Sequence, residues 1–207
     1  MNFNRKNYSG VIGNFGISDF WDSLSYDEKK LMTSYWLHVN PSEKDVESMT
    51  IGEFSSLSKS PAGFMSVISQ YAITDKKYDY AEKWLLFGAT FEDDVIELHF
   101  VYNHLISLYY KQRETRSDAL DKAKEYCLKD IELYPKYCEP LTMAGCNAPR
   151  CPSFQQLAII YEKEKNYKKA IEICDMAIKY GQIDTTKGGF DGRKKMLENK
   201  LAKAKAQ

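Results

Sequence analysis

SFQQLAIIYEKEKNYKKAIEICDMAIKY, residues Ser153–Tyr180, decides the fold. Phe154, Leu157, Ala158 and Tyr161 recur at i, i+3, i+4 and i+7, which puts them on one face of an α-helix. After a join at Asn166, Tyr167, Ala170, Ile171, Cys174, Ala177 and Ile178 mark a second such face. Neither helix can bury its stripe alone, so each is expected to pack on the other and on neighbours.

Downstream, Gly181 suits a helix C-cap. A polar turn, DTTKGGFDG, then leads into a Lys-rich helix over about 190–204, with Phe190, Met196, Leu197 and Leu201 inward. That thin stripe under a polar face suits the end of a helical array. Upstream, residues 135–152 hold four Pro and three Cys and read as a non-helical insert. Before it, a helix over about 118–133 carries Ala119, Leu120, Ala123, Cys127 and Ile131, and Pro135 closes it. The charged loop RETRSD separates it from an apolar helix over roughly 94–112, with Leu98, Tyr102, Leu105, Ile106, Tyr109 and Tyr110. Glu92, Asp93 and Asp94 stand at its start, where negative charge is favourable.

Ser60-Pro61 is an N-cap followed by proline at the first helical position. The helix it opens runs to about Ile73, with Phe64, Met65, Ile68, Tyr71 and Ala72 inward. A turn at 74–77 leads to a second helix with Ala81, Trp84, Leu85 and Gly88. Residues 1–17 read as loop and 48–60 as a connector. Between them, Ser25 and Glu28 form a capping-box pattern, and Ser18 and Ser42 each open a short helical turn.

The hydrophobic share, 43%, is enough for a substantial core. Lys plus Arg, 29, equals Asp plus Glu, 29, so no global field favours nucleic acid or an anionic membrane. The basic residues are nearly all Lys, whereas bidentate phosphate reading prefers Arg. No signal-peptide core opens the chain, and no apolar run approaches the ~18 residues of a membrane helix. The expectation is a cytoplasmic protein with reduced thiols, and the Lys, Asn, Ile and Tyr bias fits a bacterial or phage genome.

Laid over one another, the helix pairs repeat. With Phe154, Leu157-Ala158, Tyr161, Tyr167, Ala170, Cys174 and Ala177, the last pair resembles the tetratricopeptide repeat, or TPR. Tyr102, Leu105, Ile106, Tyr109, Ala123, Cys127 and Pro135 carry a second copy, which departs at Asp130, where a small residue is usual. Tyr78, Ala81, Leu85 and Gly88 carry a third, with Ser69 and Ala72 off the pattern. The resemblance implies an all-α fold: a TPR-like right-handed superhelix of about three helix pairs (61–90, 94–135, 152–181). Residues 1–60 would cap the first pair and the final helix the last.

The resemblance further implies a non-enzymatic module that binds a protein or peptide in a concave groove. Gln70, Asn103, Ser107, Tyr110, Lys111, Gln155, Ile159, Glu162 and Lys163 project outside the core stripes and are the candidate groove residues. The alternatives are a bacterial or phage receptor for a short signalling peptide, and a metal or redox protein built on Cys138, Cys146 and Cys151. Those cysteines are seven and four residues of spacing apart with no nearby His, unlike a usual zinc pattern. His99 and His104, five apart, do not form the i, i+4 pair of a zinc helix. The acidic run 92–94 lacks the calcium-loop pattern. Lys187-Gly188-Gly189 and Gly192-Arg193-Lys194 lie at a helix start that could hold an anion, without phosphate-loop spacing. No catalytic residue, cofactor, nucleic acid or membrane is expected.

Overall fold

The computed structural model describes residues 8–52, 60–145 and 149–206. Among them every regular element is helical. The order is α1 (Gly10–Asn14), α2 (Ser18–Asp22), α3 (Tyr26–Leu37), α4 (Glu43–Ser48), α5 (Pro61–Thr74), α6 (Tyr78–Gly88), α7 (Val95–Lys111), α8 (Ala119–Met143), α9 (Pro152–Lys163), α10 (Tyr167–Lys179) and α11 (Gly189–Lys205). The chain divides into two compact units, 1–104 and 105–207.

The caps follow from local chemistry. Ser25 Oγ accepts from the Glu28 amide while the Glu28 carboxylate accepts from the Ser25 amide, a closed capping box. Ser42 and Asp45 repeat it at α4. Ser60 Oγ accepts from the Gly63 amide at 3.2 Å, with Pro61 at the first helical position. Gly181, at φ 64°, ends α10: its amide donates to the Ile178 carbonyl and the Gln182 amide to that of Ala177. This paired closure needs a left-handed residue, which glycine supplies without strain.

One turn occurs twice, once in each unit. Between α5 and α6 it is Asp75-Lys76-Lys77, and between α9 and α10 it is Glu164-Lys165-Asn166. The central lysine is left-handed in both, at φ 59° and 60°. The closing bonds match: the Lys77 amide donates to the Ala72 carbonyl and the Asn166 amide to that of Tyr161, each at 2.8 Å. Aligned on this turn, buried Met65, Ile68, Ser69, Ala72, Ala81, Leu85 and Gly88 fall opposite buried Phe154, Leu157, Ala158, Tyr161, Ala170, Cys174 and Ala177. At Gly88 a Cβ would come within 2.9 Å of the Met65 side chain, so the backbones of this hairpin approach through glycine.

In the N-terminal unit, α3 packs on α5. Phe15 and Trp36 lie against Phe64, with ring centroids 5.2 and 4.9 Å away. Tyr35 lies against Trp84 and Tyr71, and its hydroxyl donates to Asp75 at 2.8 Å. In the C-terminal unit, α8 packs on α9, α9 on α10 and α10 on α11.

Three sequence expectations change. Residues 10–14 are helical rather than loop, and Val11 and Ile12 are fully buried. Their apolar run is too short to show a period. Backbone bonds fix it instead: the Ile12 amide donates to the Met49 carbonyl and the Ser9 amide to that of Thr50. Second, α8 does not stop at Pro135 but continues through Pro135 and Pro140 to Met143. An interior proline costs about 3 kcal/mol. Burying Tyr134 and Tyr137 on either side of Pro135 returns about 1.5–3 kcal/mol each, enough to carry the helix onward. Third, Tyr71 and Ile178 turn outward, while Ile173 joins Ala170, Cys174 and Ala177 in the buried face of α10.

Candidate functional site

Tyr110 is a surface aromatic of the C-terminal unit that is held by two basic side chains. It ends α7 half-buried, with both faces of its chemistry in use. Lys163 Nζ donates to its hydroxyl at 2.9 Å. The Arg113 guanidinium lies 4.4 Å from the ring centroid, and Arg113 Nη1 donates to the Tyr110 carbonyl at 2.7 Å. A phenol held between two cations is a platform for a carboxylate or a carbonyl, with the ring as an apolar floor. Lys111 beside it is exposed, and Ser107 and Ile159 are half-buried.

The structure thus brings two predicted groove residues, Tyr110 and Lys163, into contact. Two others are engaged elsewhere. Glu162 accepts from Arg193 Nη1 at 3.2 Å and from Lys200 Nζ at 2.6 Å, both on α11. Gln155 accepts from Arg150 at 3.3 Å and donates to Thr185 at 2.7 Å. The outward row of α9 therefore partly holds the chain's own C-terminal segment. In the N-terminal unit Gln70 is exposed on α5, while the Asn103 amide is half-buried, bonded to the His99 carbonyl at 2.8 Å and facing the His99 ring at 3.1 Å. Reading by stripes missed Ile96 and Phe100, which are 49% and 47% exposed on successive turns of α7. Their i, i+4 spacing was the available signal, hidden because α7 is apolar on most sides.

Of the cysteine trio, Cys138 sits half-buried on α8, Cys146 lies outside the described residues, and Cys151 is buried just before α9. Cys151 belongs to a polar core. Its Sγ donates to Asp130 at 3.3 Å, and Ser153 Oγ donates to the same carboxylate. The Cys151 amide donates to Gln182 Oε1 at 2.7 Å. The Gln182 amide donates to the Tyr134 hydroxyl, which itself donates to the Pro149 carbonyl. Asp130, off pattern in the sequence, is fully buried and ties α8 to the start of α9. Burial, with the Asp130 carboxylate nearby, pushes the Cys151 thiol up to about 12. Burial raises Cys127 strongly and Cys174 to about 12. Thiols so protonated are poor nucleophiles. In the N-terminal unit, burial pushes His104 down to about 4, so it is neutral near pH 7.

The C-terminal unit's second polar core centres on Arg193. Its Nε and Nη2 donate to the two oxygens of buried Asp184 at 2.6 and 3.3 Å, and Nη2 also donates to Thr186 Oγ1. Burial works against the charged carboxyl, but bonds from Arg193 and Thr186 outweigh it and hold Asp184 below the usual range. Asp94 Oδ1 accepts from the Glu97 amide at 3.2 Å, so that member of the acidic run caps α7.

Helices alone define the class here: an all-helical protein with closely packed helices. The chain is similar to an uncharacterised protein of Aquifex aeolicus (strain VF5), 28% identical over 203 residues that span 93% of each chain. No family model and no solved structure matches it. No helix among the described residues is long and apolar enough to cross a membrane.

Proposed function

We propose that this chain is a non-enzymatic binding module of TPR-like helix pairs, taking a protein or peptide on the face that such arrays present as a groove. The observation that carries this reading is the Tyr110 platform. A half-buried phenol, bonded by Lys163 and stacked by Arg113, offers an apolar ring beside two cations. Such a site suits a backbone carbonyl or an acidic side chain of a bound peptide. The twice-used turn supports the repeat part of the reading, since it sets the same residues of two hairpins in register. Burial of Cys127, Cys151 and Cys174, with raised thiol pKa values, favours a packing role for them over redox chemistry.

The test is selection of binders from a displayed random-peptide library on the purified protein. Tyr110→Ala and Lys163→Ala are expected to weaken an enriched peptide by about tenfold or more, as loss of a bonded anchor does. Enriched peptides indifferent to both changes, or no enrichment, would sink the proposal.

A further inference from the structure

The formal charge of zero is the sum of two unlike halves. Residues 1–104 carry 9 Lys and Arg against 15 Asp and Glu, while residues 105–207 carry 20 against 14, so the units stand at −6 and +6. Much of the excess is in one place. From Lys187 to Lys205 there are seven basic residues and two acidic ones. Arg193 is consumed by Asp184, Lys194 pairs with Asp175 and Lys200 with Glu162, each at 2.6 Å. The rest are set differently.

A concavity runs along one face of α11, lined by Lys187, Gly188, Gly192, Lys195, Met196, Asn199, Lys200 and Lys203. The steps from Gly188 through Gly192, Lys195 and Asn199 to Lys203 are four, three, four and four residues, a single helical row. At 1.5 Å per residue the row is about 22 Å long. Gly188 and Gly192 are packed against their own turn, a Cβ at Gly192 running into the Lys187 carbonyl, and Met196 is the one apolar side chain of the lining. Lys187, Lys195 and Lys203 are exposed and enter no ion pair among the described residues. Elsewhere in this unit many lysines are paired: Lys122 to Asp118, Lys124 to Glu164, Lys129 to Glu125.

We infer that this face of α11 is a docking strip for an acidic polypeptide segment of a partner protein, separate from the Tyr110 platform. Charge complementarity sets the chemistry. Lys195 and Lys203, eight residues apart, stand about 12 Å apart along the helix axis. Carboxylates match that spacing when eight apart on a partner helix, or three to four apart on an extended strand. Nucleic acid is disfavoured: the strip has no aromatic for base stacking and no arginine fork. A membrane surface is disfavoured too, because one methionine is not an apolar face.

The experiment uses the full chain and a fluorescent 15-residue helical peptide with Glu at eight-residue spacing, read by anisotropy at 50 and 300 mM salt. Wild type binds, and binding falls at least about fivefold at the higher salt as screening shortens. The strip variant Lys187→Gln/Lys195→Gln/Lys203→Gln loses about tenfold or more. A control with the same charge change, Lys165→Gln/Lys168→Gln/Lys179→Gln, loses less than twofold, with both variants' helicity checked by circular dichroism. Lys195→Glu/Lys203→Glu binds the same peptide with Lys in place of Glu. Equal losses in strip and control, tighter binding of a single-stranded oligonucleotide, or no binding would overturn the inference. So would a salt-sensitive dimer abolished by the strip variant, which would assign the face to a second copy.

Discussion

The α5–α6 hairpin and the α9–α10 hairpin turn alike, yet their covers differ in balance. The first is covered mainly by rings, Phe15 and Trp36 on Phe64 and Tyr35 on Trp84, with the Tyr35–Asp75 bond and the Lys83–Glu28 pair at the edge. The second is covered by α11, which packs on α10 and is fixed by the Arg193–Asp184 pair and by Glu162 between Arg193 and Lys200. The repeated turn specifies the backbone of a hairpin and leaves an apolar and a polar edge equally open. An apolar cover tolerates sliding. An ion-paired cover demands one register, because a buried guanidinium displaced from its carboxylate costs several kcal/mol.

The sharpest break is expected at the polar cover. Arg193→Met leaves Asp184 buried without its partner and should cost about 3–5 kcal/mol in urea unfolding. The loss is tied to pH. Asp184 is held below its unfolded value, so its contribution is full above about pH 4 and fades as pH falls through the lowered folded pKa. The gap between wild type and variant should therefore narrow in acid below about pH 4. At the apolar cover, Phe64→Ala should cost a similar 3–5 kcal/mol, but without that narrowing. If the two gaps respond to acid identically, the distinction between the covers is wrong.

A second acid window sharpens the contrast between the units. His104 in the N-terminal unit has a folded pKa of about 4, against ~6.5 unfolded. Its neutral form stabilises the fold above about pH 6.5, and that stability is lost as pH falls towards 4. Thermal melts should show a decline of about 2–3 kcal/mol over this range, removed in His104→Gln. A flat profile between pH 7 and 4.5 would refute it.

Smaller effects probe the joints. Ser153→Ala removes a donor from buried Asp130 and should cost about 1–3 kcal/mol. Smallest of all, Lys76→Gly and Lys165→Gly should each stabilise by up to about 1 kcal/mol, since glycine accepts the left-handed conformation that lysine adopts there. Unequal gains in the two differential scans would show that the turns, alike in geometry, carry different strain.

Local features were legible. The capping boxes at Ser25, Ser60 with Pro61, and the Gly181 closure all appear where the residues placed them, because a cap is decided within four residues. The stripe of α6 was read in full, and that of α9 without buried Ser153 and Ile160. Pro135 misled because proline's penalty is local, whereas the burial of Tyr134 and Tyr137 that offsets it comes from packing. Of the candidate site, Tyr110 and Lys163 were named but not their contact, and Glu162 was named without its tie to α11.

The sequence by itself determined that the chain is helical, where its capped helices begin, and that the α5–α6 and α9–α10 hairpins carry matching stripes, since these rest on neighbours three or four residues apart. Only the tertiary structure decided which charges are spent and which remain. Arg193 meets Glu162 across 31 residues, and Lys163 meets Tyr110 across 53. Lys187, Lys195 and Lys203 stay exposed along one face of α11. A charge is neutralised by whatever the fold brings within a few ångströms of it, and that distance is not written along the chain.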